Sequence, residues 1–492
     1  MEFQPPAINF LPILPVIIVT GWGLLLMVID LILPDEKKGW AAWVSVIGLV
    51  LALVQSVALW GWSGGTFAAR SDPAMIILDN YATFLNVTFL TTALLTVLMS
   101  GNYLRRMGLD RPEYYMLILI STGGMMLMGM ANDLILVFMA LELLSIPLYI
   151  MSGMARPQVD SEESAMKYFF LGAFSSAILV FGIALIYGAT GSTLLPEILA
   201  GVSTADSLLL GGIAFLLVGF GFKVAVAPFH MWTPDVYQGA PTIVTAFMSV
   251  GAKVAGFAAM IRVFVMALPD VGDVWVPAVA VLAALTMVIG NVVAIVQDDI
   301  KRMLAYSSIA HAGYIMMAVA ATMNSENGVG AALFYMFAYL FTNLGAFAVV
   351  IILERDWNKG TLLEDYKGLA KHSPLLALAM AYFMLSLTGI PTTGGFAGKF
   401  FVFRAAIEAD LLWLTLIGIV TSVVSAFYYL RVVYLMFMFD SEEVQLYPSR
   451  GVLAVVGITA VATLILGIFP GPGFELASEA VMHGMRTVLA GG

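Results

Sequence analysis

The chain has 492 residues, of which 61% are hydrophobic and only 11% charged, with a net charge of −10. A soluble globular protein carries about 25% charged residues, so this composition excludes a water-facing surface and indicates a polytopic membrane protein. The excess of acid over base excludes a basic nucleic-acid binder, and the absence of cysteine excludes disulfides, thiolate metal sites and cysteine-held iron–sulfur clusters within the chain. A spanning helix needs about 20 apolar residues. Fourteen such runs follow one another, at 9–33, 40–62, 76–101, 113–130, 132–153, 164–189, 206–229, 240–268, 274–297, 303–323, 329–353, 373–406, 411–439 and 451–470. The first is read as a retained helix, because the start MEFQPPAINFLPILP has neither a basic n-region nor a small-residue cleavage site. Runs 4 and 5 are separated only by the corner at 131–133, and 471–492 reads as a short tail.

The loops alternate in charge. Odd-numbered loops hold Lys37, Lys38, Arg105, Arg106, Arg111, Arg156, Lys301, Arg302, Arg355, Lys359, Lys367, Lys371 and Arg450, whereas the even-numbered ones hold essentially Arg70. The positive-inside rule places the odd loops in the cytoplasm and both termini on the outer, periplasmic side of a bacterial inner membrane. Residues 165–180 (AMKYFFLGAFSSAILV) align with 332–347 (ALFYMFAYLFTNLGAF), which brings Tyr168 to Tyr335 and Phe174 to Phe341 at an offset of 167. A second match pairs 219–223 (GFGFK) with 395–399 (GFAGK) at an offset of 176. Runs 4–8 therefore mirror runs 9–13. Five spans per unit is an odd number, so the copies are inverted. The expected division is 1–112 as an amino-terminal three-helix segment, 113–268 and 269–440 as the two repeats, and 441–492 as the last helix and tail.

Ionisable groups inside a span are costly and usually functional. In chain order these are Asp79 near an end of run 3, Glu142 near the middle of run 5, Lys167 towards the cytoplasmic end of run 6, Lys223 in run 7, Lys253 at the middle of run 8, His311 in run 10 and Lys399 in run 12. Desolvation lowers a lysine pKa and raises a glutamate pKa, and an opposite charge reverses both shifts. Buried lysines beside a movable acid therefore read as a proton path; a static salt bridge fixing helix packing is the alternative, and Lys167 can also snorkel. Pro228 and Pro391 should break their helices close to Lys223 and Lys399, because proline removes a backbone donor. Broken backbone at membrane depth survives only where protein or water satisfies it, so a polar cavity beside each lysine is expected, with a packing kink as the alternative. Ser307, Ser308 and His311 share about one helical turn. His230, after the first break, is a cavity-entry residue or a cap. Arg262, Arg404 and Arg431 lie nearer the ends of their runs and read as anchors or pair partners, and the thirty methionines read as packing.

Three stretches carry a family resemblance: FKVAVAPFHMWTPDVYQGAPT (222–242), AYSSIAHAGY (305–314) and SLTGIPTTGGFAGKF (386–400). They resemble the antiporter-like membrane subunits of respiratory complex I over about residues 9–470. The fourteen-span length, a lysine at 399 and the absence of a long lateral helix make the chain most similar to the subunit N branch, which includes mitochondrial subunit 2. The resemblance implies an all-α fold of two inverted five-helix repeats with helices 7 and 12 broken, and one proton channel. It implies that Glu142 pairs with Lys223, that Lys253 is the central relay lysine, that His311 bridges, that Lys399 faces the outer exit, and that Lys167 is an additional lysine of the path. At the repeat offset of 167, Ile309 falls opposite Glu142 with Ser308 beside it, so the second half lacks a matching acid.

The function this implies is proton translocation by a non-redox subunit of NADH:quinone oxidoreductase. The chain itself is expected to hold no cofactor and no metal; FMN, iron–sulfur clusters and quinone would belong to partner subunits of the complex. A subunit of a multi-subunit cation/proton antiporter shares the same fold and motifs and is the competing reading. A subunit of a hydrogenase-type or ferredoxin-dependent relative, and a structural scaffold, are others.

Overall fold

The computed structural model describes residues 8–32, 39–68, 73–202, 206–357, 359–441, 445–480 and 482. Lys37, Lys38, Arg70 and His483 lie outside the described residues. The chain is helical almost throughout. The first third forms α1 (Phe10–Ile32), α2 (Trp40–Ala58), α3 (Asn80–Arg106), α4 (Pro112–Met130), α5 (Leu134–Ser152) and α6 (Val159–Thr190). Next come the short α7 (Leu195–Gly201), α8 (Ser207–Val224), α9 (Trp232–Gly239), α10 (Thr242–Ala267), α11 (Gly272–Ala294), α12 (Ile300–Ala321) and α13 (Gly328–Leu353). The chain closes with α14 (Leu369–His372), α15 (Pro374–Thr388), α16 (Gly394–Glu408), α17 (Leu412–Met438), α18 (Arg450–Ile468) and α19 (Pro470–Glu479). A small hairpin of β1 (Gly64–Thr66) and β2 (Ile76–Leu78) joins α2 to α3.

Local sequence sets the helix borders. Aspartates cap α3, α5, α8 and α12, with Asp79, Asp133, Asp206 and Asp299 accepting from first-turn amides. Such caps satisfy donors that no residue of the helix itself can reach. Among the described residues, twelve helices are long and apolar enough to cross a membrane. Every residue of α10 is buried, and α12 and α13 pack beside it as the centre of the molecule. The periphery is the reverse of a soluble protein. α6 turns Phe169, Phe170, Phe174 and Phe181 outward, and α17 turns Val420, Val423 and Phe427 outward. These are surfaces for hydrocarbon, not water.

Two apolar runs are interrupted, as the prolines led one to expect. α8 stops at Val224, where Ala225 takes a left-handed conformation with φ of 62°. The chain passes Pro228 and resumes helix at Trp232. α15 stops at Thr388, Gly389 takes φ of 92°, and α16 begins at Gly394 after Pro391. α6 packs against both α8 and α9, and α13 against both α15 and α16. The match between 219–223 and 395–399 does not hold in space. Lys223 precedes its interruption, in the last turn of α8, whereas Lys399 follows its own, in α16. Short glycine-rich strings ending in lysine matched by composition rather than by position.

Candidate functional site

Glu142 and Ser145 sit one turn apart on α5, on the side that meets α6 and α8. Ser176 of α6 donates to Glu142 Oε1 at 2.5 Å. Lys223, only 5% exposed, donates from Nζ to Ser145 Oγ at 2.7 Å. Ser145 in turn donates to the Leu141 carbonyl at 2.5 Å. The expected direct pairing of Glu142 with Lys223 is absent: among the described residues no ion pair joins them. The physical reason is that each binds a serine of its own, Ser176 and Ser145. Both serines and Lys223 line one cavity of about 10 Å³, room for about one water molecule.

Lys223 packs on the helix that carries Lys253. Its stem packs on α10 at Gly256, where a Cβ would lie 3.2 Å from Lys223 Cγ. Gly256 is one turn from Lys253. Lys253, 2% exposed, donates to both the carbonyl and the hydroxyl oxygen of Ser308 on α12. One turn further along α12 is His311, 3% exposed. Its Nδ1 is 2.6 Å from the Tyr335 hydroxyl and its Nε2 3.2 Å from that of Tyr429. A neutral imidazole donates through one ring nitrogen and accepts through the other, so two tyrosines give it a partner on each side. The Tyr339 ring lies 5.1 Å from the His311 ring and 6.0 Å from Lys253 Nζ. Tyr314 lies 5.9 Å from His311 and 4.8 Å from Lys399 Nζ.

Lys399, 3% exposed, ends this line. Its Nζ donates to the Thr388 carbonyl at 2.8 Å, the Leu387 carbonyl at 3.1 Å and Ser422 Oγ at 2.8 Å. Those carbonyls close α15, where no further turn supplies an amide, and a helix carboxyl end favours a cation. A second cavity of about 10 Å³ borders His311, Tyr335, Tyr339, Ser386 and Leu387. Of the polar cavities expected beside each lysine, the first borders Lys223 at the scale of one water, whereas the second lies at the interruption beside His311 and is not lined by Lys399. Among the described residues no carboxylate pairs with Lys223, Lys253 or Lys399.

Five of the six sequence-selected residues thus converge in one polar line: Glu142, Lys223, Lys253, His311 and Lys399. Lys167 stands apart. Its side chain is 40% exposed and contacts Glu163 and Asp235 at 2.7 Å each. Arg302 binds the other Asp235 oxygen at 2.8 Å. These groups border a cavity of about 200 Å³ on the odd-loop face. Asp79 is held in a buried two-point pair by Arg262, at 2.8 and 3.0 Å, and Arg262 also reaches the Gly129 carbonyl. Arg404 pairs with Glu408 and Arg431 with Asp298, so all three arginines are pair partners. His230 lies half-buried in the first interruption, where its carbonyl accepts from Thr233. Sequence reasoning missed Ser145, Ser176, Ser422, Tyr335 and Tyr429. A signal existed: Ser145 follows Glu142 by one helical turn, as Ser308 precedes His311 by one.

The chain matches the NADH:quinone oxidoreductase/Mrp antiporter transmembrane family over residues 131–425. It is 45% identical to NADH-quinone oxidoreductase subunit N of Chloroflexus aggregans, over 97% of this chain and 98% of that one. Among solved structures, a chain of respiratory complex I from Thermus thermophilus superposes with a TM-score of 0.80 at 36% identity, covering 94% of this chain and 99% of that one. A chain of the Mrp complex from Dietzia sp. gives 0.83 at 21% identity, covering 98% and 99%, and shares the fold. With near-complete coverage of both chains and a buried lysine line at its centre, this chain belongs to the NADH-quinone oxidoreductase subunit N family of antiporter-like membrane proteins.

Proposed function

We propose that the chain moves protons along Glu142, Lys223, Lys253, His311 and Lys399, driven by quinone reduction elsewhere in an NADH:quinone oxidoreductase. The observation that carries this is that the described hydrogen bonds of three buried lysines all go to hydroxyls and carbonyls. A buried pair that served only packing would be expected to meet its counter-charge, as Asp79 and Arg262 do. An ammonium surrounded by neutral oxygens can release its proton without leaving a partner charge stranded. Proton entry to Glu142 would draw it towards Ser145 and Lys223, and the changed charge would push the next proton towards Lys253 and His311. Lys399 would deliver it to the outer side. Lys167, with Asp235 and Arg302, would gather protons at the cytoplasmic rim.

The fold reading goes with this. Fourteen spans are supported by the twelve long apolar helices, by α4 with 19 residues, and by α15 and α16 counted as one interrupted crossing. Inverted repeats over 113–268 and 269–440 are supported by the shared order of an unbroken helix packed on an interrupted one. Both termini would face the periplasm of a bacterial inner membrane. FMN, iron–sulfur clusters and quinone would be carried by partner subunits, leaving this subunit without redox chemistry.

The test is made on the whole complex in sealed vesicles. Glu142→Gln or Lys223→Gln should suppress NADH-driven proton uptake while NADH oxidation by an artificial acceptor at the flavin persists. Normal pumping in both variants overturns the reading. Sodium-dependent exchange by the chain together with small membrane partners, without flavin subunits, would replace it with the antiporter function.

A further inference from the structure

A buried acid lies outside the line described above. Glu354 closes α13 on the odd-loop face, and it is fully buried. Neither of its carboxylate oxygens has a regular hydrogen bond among the described residues. Lys301 at the start of α12, Thr242 at the start of α10, and Arg106 and Tyr103 at the end of α3 surround it. Lys301 is equally buried, and its Nζ donates to the Ala240 carbonyl at 2.8 Å. Nearby Thr242 Oγ1, Arg106 Nε and Trp357 Nε1 are also buried without a hydrogen-bond partner among the described residues. Native proteins leave few such atoms, and several in one place call for an explanation. Burial holds the Glu354 carboxyl above the usual carboxylate range, against the pull of Lys301.

The acid also sits at one end of the packed seam between α10 and α13. On α13, Glu354, Asn343 and Tyr339 are 11 and 15 residues apart, close to whole helical turns, so they share a face. On α10, Thr242, Ser249 and Lys253 share a face in the same way. The two faces meet where Asn343 donates to Ser249 at 2.6 Å and where Lys253 lies 6.0 Å from the Tyr339 ring.

We propose that Glu354 and Lys301 form a second proton-loading pair on the cytoplasmic side, feeding Lys253 along the α10–α13 seam independently of Glu142 and Lys223. The step is proton transfer alone. The Glu354 carboxylate binds a proton and becomes a neutral acid. That proton passes by way of water admitted between α10 and α13, beside Ser249 and Asn343, to the Lys253 amine, vacated when its own proton moves to His311. The restored carboxylate returns to Lys301. The second half thereby has an acid after all, at the end of its third helix rather than opposite Glu142.

This inference rests on the proton-translocating reading, and Glu142→Gln run in parallel separates the two. In the whole complex in vesicles, Glu354→Gln should slow NADH-driven proton uptake about tenfold or more, as expected for loss of a proton-transferring group. Glu354→Asp should recover part of it. NADH oxidation by an artificial acceptor should persist, since the flavin would be carried by a partner subunit. The double variant Glu354→Gln with Lys301→Gln removes a buried charge from both sides, which restores a merely structural pair. Continued loss of pumping in the double variant supports the proposal, and it carries the test if the single variant does not assemble. Restored pumping there, or normal pumping in Glu354→Gln while Glu142→Gln is impaired, overturns it. Normal pumping in both Glu354→Gln and Glu142→Gln overturns the parent reading as well.

Discussion

Lys399 Nζ donates to the Thr388 carbonyl at 2.8 Å, so the ammonium on α16 closes the carboxyl end of α15 across the gap between them. The charge and the broken backbone thus satisfy one another. Gly389 makes this approach possible: a Cβ there would lie 2.9 Å from Lys399 Cδ, and its φ is 92°. Gly389→Ala should therefore destabilise the region by about 1–2 kcal/mol, the left-handed penalty for an L-residue, and displace the lysine. Thermal unfolding of the purified complex, compared with its pumping rate, measures both effects.

Ser145 is the only group between Lys223 and the Glu142 side of α5 for which a hydrogen bond to the lysine is described. Ser145→Ala should slow proton uptake about tenfold or more, and the orphaned buried donor should cost about 1–3 kcal/mol. Ser145→Thr keeps the hydroxyl and should restore most of the rate. Equal defects in the alanine and threonine variants would refute this role.

Asp79 and Arg262 should act on assembly and not on transport. Breaking a buried ion pair costs about 3–5 kcal/mol, so Asp79→Asn should lower the yield and melting temperature of the complex. The fraction that assembles should pump at the unaltered rate per flavin. A lowered rate per flavin would place Asp79 in the proton path.

Glu354 should give stability a pH slope. Its carboxyl is raised by burial, with Lys301 opposing. A raised acid holds its proton in the folded state after the unfolded chain has released one. Its contribution is complete below the unfolded value of about 4.3 and is lost as pH rises through the folded value. Melting temperature followed upward from that pH should fall less in Glu354→Gln than in the parent chain. The charged neighbours Lys301 and Arg106 are unchanged in the variant and contribute equally to both curves.

The spans were legible because lipid imposes a simple rule: long apolar runs become helices. Each of the fourteen runs contains helix, and the breaks fall before Pro228 and Pro391 as backbone chemistry requires. Charged residues inside such runs stood out for the same reason, so Glu142, Lys223, Lys253, His311 and Lys399 could be selected one by one. Their partners could not. Serine and tyrosine are common in membrane helices, and only the packing of α5 on α6, and of α12 on α13 and α17, tells which hydroxyls meet a lysine or His311. Glu354 escaped notice because it begins a charged loop, where an acid is unremarkable until α3, α10 and α12 are seen to bury it. Lys167 was chosen for its run, but its position nine residues into α6 leaves it at the rim.

Ser145 has a single hydroxyl hydrogen, and that hydrogen is committed to Leu141 while the oxygen faces Lys223. In this arrangement the lysine has an acceptor that cannot hand anything forward. In the proposed relay the wire would be cut at this one atom, and a rotation about one side-chain bond would reconnect it. A membrane that stores energy as a proton gradient must not short-circuit when the enzyme idles. In the proposed relay the insulation would be the resting orientation of one O–H bond, which a neighbouring charge would turn.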